Sequence, residues 1–332
     1  MHLKRYSFFA FLLIAVVGAL VYTQVDSRYT IDILGVPVDL PIAVWVTLPM
    51  ILLYLASLFH MACYSFRRYL KDRNFKKDYE VLVDSIFRAI FKEPKKRYYK
   101  TQEFKNIGSV IDRSNIILNE FKFDCKEDKL RIAIEYIKDI QRGDFVEIKD
   151  IKLSSNNPIN LKNLENRMAK EPTYSGVILK KCDEFNGEIC KKALKIYITY
   201  APIEKIKEHT KLFDEDILFE LIENASKRED LSLNTNDIVD ILQKTKMKID
   251  YIALAKEVKK IFMPDSRLKL FELLKEKDEK AEDGYIYTLL DLEMIEKAKD
   301  VLENTQEDEF LSFKAFLELK ECGKDYPLEL FA

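Results

Sequence analysis

The first 64 residues contain two long apolar runs and very few charges. Residues 6–23 and 41–64 hold no Asp, Glu, Lys or Arg. At about 1.5 Å per residue, even the shorter run spans roughly 27 Å as a helix, which is enough to cross the hydrocarbon core of a bilayer. Pro49 predicts a kink in the second run, because membrane-spanning helices tolerate proline. The pattern predicts a transmembrane hairpin, and a cleaved signal peptide is the alternative for the first run.

After residue 64, charged residues become frequent and apolar residues recur with helical spacing. One such stretch covers residues 65–97. From about residue 194, amphipathic segments of ten to eighteen residues follow one another towards the C-terminus. This succession predicts stacked antiparallel helix pairs, as in an α-solenoid, and an irregular helical domain is the alternative. Residues 143–171 break the pattern and predict an extended segment, then a turn that caps a helix from Leu161.

The predicted fold class is therefore all-α: a two-helix transmembrane hairpin followed by a cytoplasmic, multi-helix, α-solenoid-like domain. The scarcity of turn residues, with 8 Gly and 9 Pro, argues against a β-sandwich or barrel. In the last predicted helix, Thr305–Asp308 is typical of a helix start and Gly323 of a C-terminal cap. The predicted segments are the hairpin (1–64, spans about 6–23 and 41–64), a basic juxtamembrane helix (65–97), a membrane-proximal helical subdomain (98–190) and a helical repeat-like domain (191–332).

The distribution of charge predicts the orientation of the hairpin. Lys4 and Arg5 precede the first run, the connection between the runs has a net charge of −2, and residues 65–97 hold eleven Lys or Arg against five Asp or Glu. The positive-inside rule then predicts that both termini are cytoplasmic and the connection is outside. Six basic residues follow the second run closely, and we expect them at the membrane surface rather than on nucleic acid. This basic collar consists of Arg67, Arg68, Lys71, Arg73, Lys76 and Lys77.

The remainder of the chain is acidic, and its cysteines are scattered. Residues 98–332 carry a net charge of −8, which disfavours contact with anionic membranes and nucleic acid and favours protein partners. The five cysteines are odd in number and include no CxxC pair, so we predict free thiols in a reducing compartment. They are Cys63, Cys125, Cys182, Cys190 and Cys322.

Catalytic and ligand-binding patterns are absent from the sequence. The isolated glycines form no phosphate-binding loop. His209, flanked by lysines, is expected to be a solvated helix residue. Cys182 and Cys190 provide too few ligands for a zinc site, and we expect them to be small buried apolar residues. The acidic residues of 214–216 form either a carboxylate site or a helix N-terminus. We therefore predict no catalytic residue, cofactor or metal, and we expect that the chain is not an enzyme.

Two short stretches resemble known families. Gln24 follows the first run, residues 29–34 alternate, Gly35 offers a turn, and Leu40-Pro41 leads into the second run. In these residues the chain resembles the lipopolysaccharide assembly protein A domain, a two-helix hairpin of bacterial inner membranes. This resemblance covers about the first fifth of the chain. It implies an inner-membrane protein of a Gram-negative bacterium, near envelope biogenesis, and it implies no catalysis.

The second resemblance is to a tetratricopeptide unit. It covers residues 285–319 and places Ala298 and Leu302 at packing positions. Together these features predict an inner-membrane-anchored helical scaffold or adaptor with a cytoplasmic protein-binding surface. The alternatives are an accessory enzyme or regulator of lipid or lipopolysaccharide assembly, and a helical subunit of a larger membrane complex.

Overall fold

A computed structural model describes residues 2–25, 27–33, 36–119, 125–245, 247–306 and 308–332, and the chain is mostly helical. The described part has two strands, β1 (Arg28–Ile33) and β2 (Val36–Pro41), and fifteen α-helices. The helices are α1 (His2–Gln24), α2 (Ile42–Ile90), α3 (Gln102–Ile111), α4 (Asp128–Arg142), α5 (Pro158–Lys170), α6 (Ser175–Leu179), α7 (Gly187–Ile198), α8 (Ile203–Ile206), α9 (Glu215–Lys227), α10 (Thr235–Thr245), α11 (Tyr251–Val258), α12 (Pro264–Lys275), α13 (Glu282–Asp291), α14 (Ile295–Glu303) and α15 (Leu311–Glu321).

The chain divides into two compact units. The first comprises Met1–Ile86 and Lys95–Arg113, and the second comprises Phe87–Pro94 and Ser114–Ala332. These units do not coincide with the four segments predicted from the sequence, whose boundaries stay predictions.

In the first unit, α1 and α2 are joined by an antiparallel hairpin of β1 and β2. The strand register runs from Arg28 opposite Pro41 to Ile33 opposite Val36. The sequence analysis predicted no strand here, although the alternation that it noted from Tyr29 onwards is typical of one. The predicted turn at Gly35 lies outside the described residues. This small hairpin is the departure from an all-α fold.

Helix α2 runs for 49 residues without interruption. It continues through Pro49, so the prediction that this proline does not end the helix is confirmed. The predicted juxtamembrane helix at 65–97 is not separate: it is the second half of α2, and it ends at Ile90, not at residue 97. Pro94 follows soon after, and the residue before a proline disfavours the helical conformation.

The chain returns to α2 at residues 97–112. The buried carboxylate of Asp78 on α2 accepts hydrogen bonds from the backbone N–H groups of Lys100 and Thr101 and from the Thr101 hydroxyl. These contacts hold the N-terminus of α3, whose first N–H groups have no partner within the helix. Gly108 lies on the ring of Tyr99, and a Cβ at this position would overlap the ring. The return segment therefore requires both a buried acid on α2 and a glycine on α3.

The second unit is built around one continuous apolar cluster, which runs from Met168 to Leu328. Within it, alternate helices pack on one another: α5 on α7, α7 on α9, α9 on α11, α11 on α13, and α10 on α12. The helices from α7 onwards have at most 13 residues and are as short as 4 in α8, so several are shorter than the predicted ten to eighteen. Short helices of this kind are stable because packing of their apolar face, rather than intrinsic propensity, supplies most of the stability.

The helix boundaries in this unit follow capping residues. The helix predicted from Leu161 begins at Pro158, because Asn157 accepts hydrogen bonds from the N–H groups of Ile159 and Asn160. The predicted start of the last helix at Thr305–Asp308 is wrong: α15 begins at Leu311, and the Thr305 hydroxyl donates to Leu302 O at the end of α14. The C-terminal glycine prediction is confirmed, because Gly323 follows α15 with φ +72°.

Candidate functional site: an apolar hairpin and a basic collar

Helix α1 and the first half of α2 are long and apolar enough to cross a membrane, by length and composition. Their large side chains are exposed, including Phe8 (65%), Leu53 (72%) and Phe59 (73%). In water such a surface would favour association or aggregation, whereas lipid tails solvate it. The hairpin therefore has the surface that a bilayer requires.

Aromatic and small residues hold the two apolar helices side by side. The rings of Tyr6 and Tyr54 stack at 6.1 Å, and the ring of Phe11 meets Tyr54 edge-on at 5.3 Å. Further along, Gly18 faces the methyl group of Thr47 so closely that a Cβ would lie 3.3 Å from it. Small residues at such points allow the two helix backbones to approach closely.

At the other end of this pair, the indole Nε1 of Trp45 donates to the carbonyl of Tyr29 at 2.9 Å. The contact brings Trp45 on α2 to the β-hairpin and gives its N–H a partner. An amphipathic ring whose polar atom is satisfied is typical of the membrane–water boundary.

All six residues of the basic collar lie on α2, and all six are exposed. Tyr64 (67%), Phe66 (61%) and Tyr69 (61%) are exposed among them. In the described part of the chain, no collar residue takes part in an ion pair with an acidic side chain. Within the described residues, the collar is thus a cluster of exposed cations that are not engaged in ion pairs.

Beyond the collar, α2 carries a buried polar network that the sequence analysis missed. Asp84 binds the guanidinium of Arg97, and the hydroxyl of Tyr99 donates to Asp112 at 3.1 Å. Because a phenol has one proton, the hydroxyl of Ser85, 2.9 Å away, must donate to Tyr99. Burial raises the pKa of Tyr99, and the negative charge of Asp112 raises it further. Tyr99 therefore stays a neutral donor and holds the return segment to α2.

The second unit has a groove of about 390 Å³ between α14 and α15. Leu302 and Leu317 form its apolar floor, and Glu303 and Glu318 are exposed on its rim. At one side Lys299 pairs with Glu321 at 2.8 Å and joins the two helices. Apolar floors with charged rims are typical of peptide-binding grooves.

The residues that the sequence offered as candidate catalytic or ligand-binding residues have structural roles. Asp214 caps α9 by accepting from Ile217 N at 3.0 Å and pairs with Lys191 at 2.6 Å, which supports the helix N-terminus interpretation of the acidic residues 214–216. His209 was expected to be solvated, but it is half-buried with its ring edge-on to Tyr197 at 5.9 Å, and burial lowers the pKa of His209. Among the described residues, no group of three or more His, Cys, Asp or Glu side chains could hold a metal ion.

The prediction that all five cysteines are free thiols is wrong for two of them. Cys182 and Cys190 form a disulfide, with their Cα atoms 5.8 Å apart. The eight-residue separation spans one short 3-10 segment and the start of α7, which brings the two Cα atoms within the range that a disulfide can bridge. Cys63, Cys125 and Cys322 are free.

Of the predicted site residues, the structure places the whole basic collar on one continuous helix. It also reveals Asp78, Asp112 and Tyr99, which no linear motif marks because they lie more than ten residues apart in the sequence. No protein-family model matches the chain, and neither a curated protein nor a solved structure is significantly similar to it.

Proposed function

We propose that this chain is a membrane-tethered helical scaffold that presents a protein-binding surface in the cytoplasm. The observation that carries the proposal is the packing of alternate helices in the second unit, α5 on α7 through to α11 on α13, and α10 on α12. Such packing supports an α-solenoid-like arrangement, which builds an extended surface for partners without dedicated catalytic residues.

Exposed apolar helices and asymmetric charge support the tether and its orientation. Both α1 and the first half of α2 expose apolar side chains, and the basic residues lie before the first apolar run and after the second. We propose that both apolar helices span the inner membrane of a bacterium with the two termini in the cytoplasm. The resemblances to the lipopolysaccharide assembly protein A domain and to tetratricopeptide units are consistent with this proposal and remain predictions.

The groove between α14 and α15 is the surface on which the proposal is tested. A photo-reactive amino acid is placed at Glu303 or at Glu318 on the rim, in the full chain in cells. The matched control position is Glu147, which is exposed in the irregular segment between α4 and α5. A scaffold gives the same discrete protein adduct from both rim positions and not from Glu147.

A truncated chain provides the second control. Ending it after Arg113 keeps every residue of the first unit, including the partners of Asp78 and Tyr99, and removes the groove. We expect it to reach the membrane, which would assign the anchor to the first unit and leave the rim adducts to the second. Absence of an adduct at both rim positions, or equal adducts at all three positions, would refute the scaffold proposal.

A further inference from the structure

The six cations of the basic collar divide into two triples on opposite faces of α2. Successive residues of an α-helix are about 100° apart around the axis. Arg67, Arg68 and Lys71 therefore occupy one arc of about 100°, and we call them the inner triple. Arg73, Lys76 and Lys77 occupy the opposite arc, also about 100° wide, and form the outer triple.

The two triples also differ in their distance from the apolar run, which ends at Tyr64. With a rise of about 1.5 Å per residue, the inner triple lies roughly 5 to 11 Å beyond Tyr64 along the helix, and the outer triple roughly 14 to 20 Å beyond it. The headgroup layer on one side of a bilayer is about 5–8 Å thick. Helical side chains point back towards the N-terminus, which for α2 is the apolar run, so Lys71 reaches back towards this layer.

Phosphate groups are the chemistry that fits the inner triple. In the described part of the chain its cations have no acidic partner, and the exposed ring of Tyr64, at the end of the apolar run, lies on the same face of α2. Arginine binds phosphate oxygens with two parallel N–H groups, and aromatic rings favour the membrane–water boundary. The continuity of α2 from the apolar run into the collar puts both at the height of lipid headgroups.

We propose that the inner triple binds the phosphate groups of anionic phospholipids directly, while the outer triple attracts the same surface only from a distance. This inference rests on the membrane anchor of the proposed function. Each basic residue at an anionic surface strengthens binding about fivefold. The attraction between a basic side chain and a phosphate in direct contact is weakened little by salt. The attraction of a charge about one Debye length (roughly 8 Å at physiological ionic strength) from the surface is screened.

The test uses a tryptophan placed on the face of the inner triple, at Tyr64. Trp45 is the single tryptophan of the chain, so the full chain with Trp45→Phe and Tyr64→Trp reports on this face alone. The protein is reconstituted in vesicles that contain brominated phosphatidylglycerol or brominated phosphatidylcholine, which quench the fluorescence of a neighbouring tryptophan. The ratio of the two quenching curves gives the preference for the anionic lipid, at low salt and at 0.5 M NaCl.

Two variants with equal loss of charge distinguish contact from general attraction. One converts Arg67, Arg68 and Lys71 to Gln, and the other converts Arg73, Lys76 and Lys77 to Gln. We expect the inner variant to lose at least fivefold of the anionic preference at both salt concentrations. The outer variant should lose preference at low salt and match the unchanged collar at high salt. Arg67→Lys with Arg68→Lys should keep most of the preference, and inorganic phosphate at matched ionic strength should not displace the lipid.

The outcomes separate the inference from the function on which it rests. If neither brominated lipid quenches the fluorescence of the Tyr64→Trp reporter, the collar is not at a membrane and the proposed anchor fails. If both lipids quench equally in the unchanged collar, the anchor stands and the anionic-lipid inference is refuted. Equal losses in the two triple variants would show attraction by net charge and would also refute direct contact. Displacement by inorganic phosphate would assign the site to a soluble anion.

Discussion

At the scale of single residues, one buried carboxylate organises the return of the chain to α2. Asp78 is 2% exposed, yet it accepts hydrogen bonds from three donor groups of Lys100 and Thr101. A buried charge is tolerated only when it is paired or hydrogen-bonded, and here two backbone N–H groups and a hydroxyl serve that purpose. The carboxylate thus fixes the backbone immediately before α3, whose N-cap residue Thr101 makes no side-chain capping hydrogen bond.

Replacing Asp78 by Asn should release this segment. The amide would turn N–H groups towards the donors of Lys100 and Thr101, and hydrogen bonds to a charged group contribute about 1.5–3 kcal/mol each. We expect the backbone amides of Lys100 and Thr101 to exchange with solvent about ten to a hundred times faster. Hydrogen exchange with mass spectrometry measures this, and Asp72→Asn, on the exposed part of the same helix, is the matched control.

The same contact predicts a dependence on pH. Burial alone would raise the pKa of Asp78, but the hydrogen bonds from Lys100 and Thr101 and the positive charge of Lys100 outweigh burial and lower it. Its stabilisation is therefore complete above the unfolded pKa of about 3.9 and is lost as the pH falls through the lower, folded value. Protection of the two amides should decline below about pH 4 in the natural chain only. An identical decline in Asp78→Asn would contradict this assignment.

The sequence allowed the collar to be predicted and left these buried partners undetected. Six basic residues within one short stretch are visible in the linear pattern, and their exposure on α2 agrees with it. Asp78 stands among the same lysines and looks like one more exposed charge. Only the fold shows that Asp78 is buried. Its hydrogen-bond donors belong to residues 100 and 101, and no local sequence pattern predicts how the chain turns after α2 to bring them there.

At the scale of elements, Asn157 connects the start of α5 to the segment after α2. Its side-chain carbonyl caps α5, and its amide group donates to the carbonyls of Phe91 and Lys92 at 2.8 and 3.1 Å and to the carboxylate of Glu93 at 2.9 Å. The side chain is 3% exposed. One residue therefore satisfies backbone groups of two elements that are far apart in the sequence.

Two substitutions of Asn157 separate these roles. Asn157→Ser keeps an oxygen for the cap but cannot reach residues 91–93, so it should lower the free energy of unfolding by about 1–3 kcal/mol. Asn157→Ala also removes the cap and should cost about 1 kcal/mol more. Pulse proteolysis of the full chain in urea measures both, with the exposed neighbour Asn156→Ala as control. Equal losses for Ser and Ala would show that the cap contributes nothing.

The ends of helices could be predicted where the capping residue lies directly beside the helix in the sequence, and not elsewhere. The glycine after α15 and the turn before α5 appear in the sequence, although the cap of α5 lies earlier than predicted. The start of α15 was misassigned because Thr305 has the residue type of an N-cap but serves the end of α14. The β-hairpin was missed because its six-residue strands lie between two apolar helices that dominate the pattern.

At the scale of the whole molecule, the charge distribution and the disulfide favour opposite compartments for the second unit. In the proposed orientation, which follows the positive-inside rule, this unit lies in the cytoplasm, where thiols are kept reduced. The bond between Cys182 and Cys190 is typical of an oxidising compartment. In the chain-entropy account it closes a short loop and stabilises the fold by about 2–3 kcal/mol when it is formed.

The oxidation state of Cys182 and Cys190 in living cells tests the proposed orientation. Cells are lysed directly into denaturant with N-ethylmaleimide, and the chain is then reduced and treated with a maleimide that adds mass. A cytoplasmic unit acquires no added mass, because every thiol is already blocked. The Cys182→Ser variant gives the background. Two added masses per natural chain would show the bond in the cell and would reverse the proposed orientation.

Helix α2 is unbroken, so a change in its tilt displaces its far end. From Tyr64 to Ile86 the helix extends about 33 Å beyond the apolar run. Membrane-spanning helices tilt by 0–40°, and they adjust this tilt when the thickness of the bilayer changes. A change of about 10° would carry the far end of this stretch sideways by about 6 Å. In the proposed membrane-spanning arrangement, a thinner or thicker membrane would therefore displace the chain at residue 86, because no hinge lies in between.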